Sequence, residues 1–115
     1  RQVKEILDQH GTKLLMVSAP NPLNWSTSKH NTLQEWCDQN NVTYIDYNLK
    51  PEELNINWLT DSRDGGDHLN YSGSVKFMNV LGKYLQENYE LTDHRNDPTY
   101  TKWNEDYKSI FGGAQ

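Results

Sequence analysis

The stretch "KLLMVSAP", residues 13–20, decides how the rest of the chain is read. Its apolar residues are continuous from Leu14 to Val17 and end at Ser18, Ala19 and Pro20. An uninterrupted run of this length reads as a strand covered on both faces, as in parallel sheets; strict alternation would mark a sheet with one wet face. A second such centre, Val42 to Tyr47, lies in "NNVTYIDYN" (40–48), where β-branched and aromatic residues cluster between asparagines. Between them "NPLNWSTSKH" (21–30) reads as a loop by its Pro, Asn and Ser content. From Ser28 to Asn40 the positions Leu33, Trp36 and Cys37 predict a helix, with Thr27 or Ser28 as its expected cap.

Working outward, "RQVKEILDQHG" opens the sequence as the end of an amphipathic helix stopped by Gly11. A start in mid-helix leads us to expect a piece of a longer protein. After the second strand comes a long polar loop, 48–71. From Ser72 to Tyr89 the residues Val75, Met78, Leu81, Leu85 and Tyr89 mark one face of a helix, which Phe77 and Tyr84 broaden. The tail, 91–115, is polar and aromatic (Pro98, Trp103, Tyr107, Phe111) and is expected to wrap the domain, with a short helix near 101–110. Helix, strand, helix, strand, loop and helix imply an open parallel sheet with helices on its faces. Two strands are too few to complete such a sheet. The expected partner is therefore the N-terminal half of the same domain or another copy of the chain, and unpaired sheet edges offer a route to oligomers.

Composition removes several classes of function. The 115 residues suffice for one small domain. The net charge is -5, and the 11 basic residues are scattered, so the stripe of cations that nucleic acid requires is missing. No membrane-spanning segment is expected, since no run approaches the length of a transmembrane helix. Hydrophobic content is 34%, partly offset by four Trp, seven Tyr and two Phe, which bury large areas each. The single cysteine, Cys37, cannot form an internal disulfide. That suits a reducing compartment, yet exported bacterial proteins often lack cysteine too. The compartment stays open, with the cell envelope or secretion favoured over the cytoplasm.

In open α/β sheets, functional groups gather beyond the carboxyl ends of the strands. Both loops 19–28 and 48–71 leave the predicted strands at that end. The second contains "DSRDGGDHLNYSG" (61–73), which places His68 among carboxylates. A histidine acting as general base needs a carboxylate to fix its tautomer and support the imidazolium. Asp64 is preferred as that partner. Gly65 and Gly66 allow a turn that brings it back to the ring, whereas adjacent side chains on extended backbone diverge. Asp67 is the fallback, and Asp61 is less favoured.

"DGGDHLN" followed by "YSG" and an apolar helix resembles the last conserved block of the SGNH, or GDSL-type, hydrolases, and is similar to that block in bacterial proteins from Gram-positive species. The resemblance covers roughly residues 1–90 and is specific at 64–73. It implies a three-layer flavodoxin-like α/β fold of which only the C-terminal part is present. It further implies a serine acyl-ester hydrolase, a lipase-like esterase or deacetylase acting on carbohydrate or cell-envelope acyl groups. His68 would be general base and then general acid, oriented by an aspartate. The family spacing puts that aspartate where this chain has Gly65. The family's serine and its oxyanion-hole Gly and Asn lie in blocks before the first strand found here. This chain alone is therefore expected to be inactive, and no cofactor is implied.

Other readings compete. Trp25 and Trp58 fall on the two loops and could stack on a sugar ring or an acyl group, though packing the loops onto the sheet is the simpler role. Asn70 could contact substrate, but is more simply a residue that holds the loop. Gly73 is expected to let the helix start approach the last strand, and Ser72 to cap the helix if the loop is a mere turn. Carboxylates at 61, 64 and 67 hint at calcium but lack the alternating acids and distal Glu of an EF-hand, so no metal is expected. "STSK" (26–29) and the sequons "NWS", "NVT" and "NYS" lack supporting context. The alternative to an esterase is a non-catalytic carbohydrate- or protein-binding module that uses the loop aromatics.

Overall fold

The computed structural model describes residues 2–112. The described residues form two compact units, the first running to Gly82 and the second starting at Lys83. The architecture is mixed α/β. In the first unit α1 (Gln2–Gln9) precedes β1 (Leu15–Ser18), α2 (Thr27–Gln39) and β2 (Thr43–Asp46). The strands pair in parallel, with Leu15 opposite Thr43 and Ser18 opposite Asp46. Both chain directions therefore deliver their next loop to the same end of the sheet. The sheet has two strands among the described residues.

Packing is strongest where α2 meets β2. Cys37 is fully buried, and Val42, Ile45, Tyr47 and Leu54 complete the buried apolar set. Tyr47 meets Phe77 edge-on, ring centroids 5.2 Å apart, which seats α4 (Tyr71–Asn88) near the exit from β2. All four residues of β1 remain half-buried, so this strand lacks the two-sided cover that a parallel strand normally has.

Four local expectations are corrected. The cap of α2 is Ser26, whose hydroxyl accepts from the Lys29 amide at 3.3 Å, rather than Thr27 or Ser28. Ser26 has the extended backbone that a capping residue needs, while Thr27 already lies inside the helix. The segment 48–71 is not plain loop. A short 3-10 turn (Tyr47–Leu49) leads into α3 (Pro51–Leu54), started by a proline with no amide to satisfy and ended by Asn55 in the left-handed region. Ser72 does not cap α4. Asn70 does, its side-chain oxygen accepting from the Gly73 amide at 3.1 Å, while the Ser72 hydroxyl donates to Asp61 at 2.7 Å. Gly73 serves a close approach to Asp61 and Leu69 of the preceding loop rather than to β2: a Cβ there would overlap the Asp61 carbonyl oxygen.

In the second unit, Asp97 caps a 3-10 turn (Pro98–Tyr100) by accepting from the Thr99 amide at 2.9 Å, and α5 (Thr101–Phe111) follows. His94 packs on Tyr100 with ring centroids 4.3 Å apart. No helix among the described residues is long and apolar enough to cross a membrane.

Two glycines of one helix give a paired test. Gly73→Ala is expected to destabilise the protein by about 1–3 kcal/mol through overlap with the Asp61 backbone. Gly82→Ala meets open space and should stabilise α4 by about 0.5–1 kcal/mol. Urea melts followed by circular dichroism measure both. Stabilisation by Gly73→Ala would contradict the close approach.

Candidate active site

The site is built on a small hairpin between α3 and α4. Its stem pairs Ser62 with Leu69 in antiparallel fashion, the Arg63 amide donating to the His68 carbonyl at 2.9 Å. Asp61 anchors the stem. The residue is 2% exposed, yet both oxygens are used: Lys76 Nζ donates at 2.6 Å, the Asn57 amide at 2.9 Å and the Ser72 hydroxyl at 2.7 Å. The Lys76 ammonium, then the Asn57 amide and the Ser72 hydroxyl, pull the Asp61 carboxyl down to about 2. It is a structural anion at any ordinary pH.

The tip, residues 64–67, closes around Asp64. Its Oδ1 accepts from the Asp67 amide at 2.9 Å and the His68 amide at 2.8 Å; its Oδ2 lies 2.6 Å from His68 Nδ1. A loop this tight requires positive φ, which Gly65 (+75°) and Gly66 (+137°) supply. The glycine pair thus brings Asp64 to the imidazole as its sequence suggests. Ser62 secures the turn from inside, its hydroxyl accepting from the Asp64 amide at 3.2 Å and the Gly66 amide at 2.8 Å.

Asp67, the fallback partner, has a different task. Its Oδ1 accepts from Asn21 Nδ2 at 2.8 Å and Asn24 Nδ2 at 2.5 Å, both from the loop after β1. Its Oδ2 is 3.5 Å from His68 Nδ1, close enough to act through charge. Asp67 therefore ties the two loops beyond the strands together, while Asp64 holds the imidazole. Gly66 reinforces the tie, since its Cα hydrogen faces the Pro22 ring at a spacing that leaves little room for a side chain.

The electrostatics follow from this arrangement. The hydrogen bond that the His68 ring donates to Asp64, then the charges of Asp67 and Asp64, raise the His68 pKa above its ordinary value. Hydrogen bonds from the His68 ring and amide hold the Asp64 carboxyl well below the usual carboxylate range. Because a carboxylate only accepts, Nδ1 carries the proton and Nε2 is the free edge of the ring. Among the described residues no group is hydrogen-bonded to Nε2. The His68 side chain is 68% exposed, so the pair is open to solvent and screened by salt. Chemically this is an oriented proton acceptor.

The remaining sequence candidates separate. Asn70 holds the hairpin: Nδ2 donates to the Thr60 carbonyl at 2.7 Å, and its side-chain oxygen caps α4. Trp25 and Trp58 both wall a cavity of about 250 Å³ whose other lining includes Pro20, Pro22, Leu54 and Ile56. Trp25 is also pinned, its Nε1 donating to Asp46 at 2.8 Å. Asp64, Asp67 and His68 offer ligand atoms within 4.8 Å of one another. A cation there would have to compete for the Asp64 oxygens with two amides and the His68 ring. Asp61 does not join them, because its carboxylate is committed to Lys76.

Sequence reasoning missed a second imidazole–carboxylate pair. His30 Nδ1 lies 2.8 Å from Asp46 Oδ2, at the carboxyl end of β2. Asp46 is 6% exposed and also accepts from Tyr44 and Asn48. Burial pushes its pKa up, but hydrogen bonds from Trp25, Asn48 and His30 outweigh this and hold it below the ordinary value. The two residues are sixteen apart, and the only local hint was an acid ending a predicted strand.

In an NMR titration, Asp64→Asn should return the His68 pKa toward its ordinary value of about 6.5. The sign is fixed by linkage. His68 binds its proton more tightly when folded, so its stabilising contribution is complete below the unfolded value and vanishes as pH rises through the raised one. Asp64 contributes above the usual carboxylate range and loses that contribution as pH falls through its depressed value. A His68 titration unmoved by Asp64→Asn would contradict the pairing.

Comparison with protein-family profiles, with curated proteins and with solved structures finds no match for this chain.

Proposed function

We propose that this chain supplies the histidine and aspartate of a serine acyl-ester hydrolase of the SGNH type, an esterase or deacetylase acting on carbohydrate or cell-envelope acyl groups. On this reading the two strands belong to a three-layer flavodoxin-like sheet. The serine and its oxyanion donors come from residues N-terminal to this sequence. The observation that carries the proposal is the 2.6 Å contact from Asp64 to His68 Nδ1, which leaves Nε2 exposed. His68 Nε2 takes the serine proton as the hydroxyl attacks the acyl carbon, and then gives it to the departing alcohol. A water molecule repeats the cycle on the acyl-serine, with Asp64 holding the ring in one tautomer throughout. Location at the carboxyl ends of two parallel strands supports the same reading. No cofactor enters this chemistry.

The cavity walled by Trp25 and Trp58 adjoins the loop through Pro22, which lines it and faces Gly66. Its apolar wall suits the acyl group or the face of a sugar ring. The same cavity favours the second reading, a carbohydrate- or protein-binding module without catalysis. The two differ in what they ask of His68, since ligand binding at the tryptophans does not need the imidazole.

The isolated chain should release no His68-dependent p-nitrophenol from p-nitrophenyl acetate. On this reading a polypeptide that joins the chain to an N-terminal half carrying the serine should do so, and should lose about 10^3-fold or more on His68→Ala. Retained activity in that variant would overturn the proposal. Tryptophan quenching by a saccharide that survives His68→Ala, in a polypeptide without hydrolysis, would favour the binding module.

A further inference from the structure

The cluster around Asp46 takes no part in the proposed ester hydrolysis. Its carboxylate accepts from Trp25 Nε1 (2.8 Å), His30 Nδ1 (2.8 Å) and Tyr44 OH (3.2 Å) on Oδ2, and from the Asn48 amide (2.9 Å) and Nδ2 (2.8 Å) on Oδ1. All of its acceptor capacity is turned inward. His30 is thereby held with Nδ1–H toward the protein and its Nε2 edge turned away from Asp46. Among the described residues nothing is hydrogen-bonded to Nε2. His30 lines a cavity of about 230 Å³ with Ser18, Asn21, Asn24, Lys29 and Tyr44.

We propose that this cavity is a binding site for a single oxyanion, the carboxylate or phosphate group of a small ligand, with Lys29 as its cationic contact and the outer edge of the His30 ring beside it. The chain carries 16 acidic residues against 11 basic, yet no acidic residue lines this cavity. Lys29 Nζ donates to a neutral partner, the Asn24 carbonyl at 2.6 Å, and among the described residues no carboxylate is paired with it. Two of its three N–H groups remain for a ligand. On the strand side the Ser18 and Tyr44 hydroxyls are 2.8 Å apart, and their protons are committed to each other and to Asp46.

The facing charges limit the ligand. Lys29 and His30 come from α2, and Asp46 and Tyr44 from β2. Asp46 stands behind the imidazole, and Asp67 stands behind the Asn21 and Asn24 amides that it occupies. Those two carboxylates oppose a highly charged ligand, so the site suits one carboxylate or phosphate and not a polyphosphate. The position, at the carboxyl ends of two parallel strands, is where open α/β sheets bind ligands. The proposal stands apart from ester hydrolysis, since His68 does not contribute.

Imidazole NMR of the whole chain, titrated separately with inorganic phosphate and with acetate at constant ionic strength, tests the site. The His30 ring signals should shift saturably, with millimolar affinity, while the His68 signals stay fixed. Lys29→Met keeps the aliphatic stem of an exposed residue and should weaken binding about tenfold, as expected for loss of one charge-assisted hydrogen bond. Saturation by phosphate alone identifies a phosphate group, and by acetate alone a carboxylate. Absence of a His30 response to both anions, or equal non-saturating shifts at His30 and His68, would overturn the proposal. So would binding unaffected by Lys29→Met.

Discussion

The candidate site depends on a carboxylate that stands outside the Asp64–His68 pair. Asp61 is shut away from water and gathers an ammonium and a hydroxyl from α4 and a backbone amide from the loop before the hairpin. A buried carboxylate is tolerated only when paired and hydrogen-bonded, and here both oxygens are satisfied. Its backbone works as hard as its side chain: the carbonyl accepts from the Asn70 amide at 3.0 Å, and the amide donates to the Asn57 carbonyl at 2.7 Å. The entry to the hairpin, its exit and the first turns of α4 are thus tied to one residue. The absence of a side chain at Gly73 is what lets the helix come so near.

From that base the geometry at the tip follows. The stem brings Arg63 and His68 opposite each other, so only four residues remain to reverse the chain. Two glycines with positive φ make the reversal, and Asp64 fills its concave side by accepting two amides and the imidazole. The amides preorganise the carboxylate before any proton moves, which is how a base on an exposed loop can be held in one orientation. Asp67 then fastens the tip to the loop from β1 through Asn21 and Asn24. The two loops beyond the sheet behave as one surface, carrying the Asp64–His68 pair, the tryptophan-walled cavity and the His30 cavity.

Much of this was legible because the signals are local. The apolar run at 13–20 and the β-branched centre at 42–47 became β1 and β2 with their ends trimmed, and the face marked by Val75 to Tyr89 became α4. The choice of Asp64 over Asp67 rested on what two glycines allow within five residues, and the structure pairs Asp64 with the ring. Interactions that span the fold were not legible. His30 and Asp46 meet only because α2 packs on β2, and neither residue type nor spacing announces it. Asp61 was set aside as an acid among acids, because its partner Lys76 sits one turn inside a helix whose position the sequence does not state. The cap at Ser26 was misplaced by one or two residues, the usual margin where several capping residues stand in a row.

Residues 61–70 form a fixed scaffold, with Asp64 closing the turn that carries His68. Amide hydrogen exchange of Gly66, Asp67 and His68 tests it most directly. These amides donate to Ser62 and Asp64 at 2.8 to 2.9 Å in a loop otherwise open to solvent. They should exchange more slowly than an unstructured chain, and Asp64→Ala should release Asp67 and His68 while sparing the amides of α4. Exchange of all three at the unstructured rate in the unaltered protein would contradict the account.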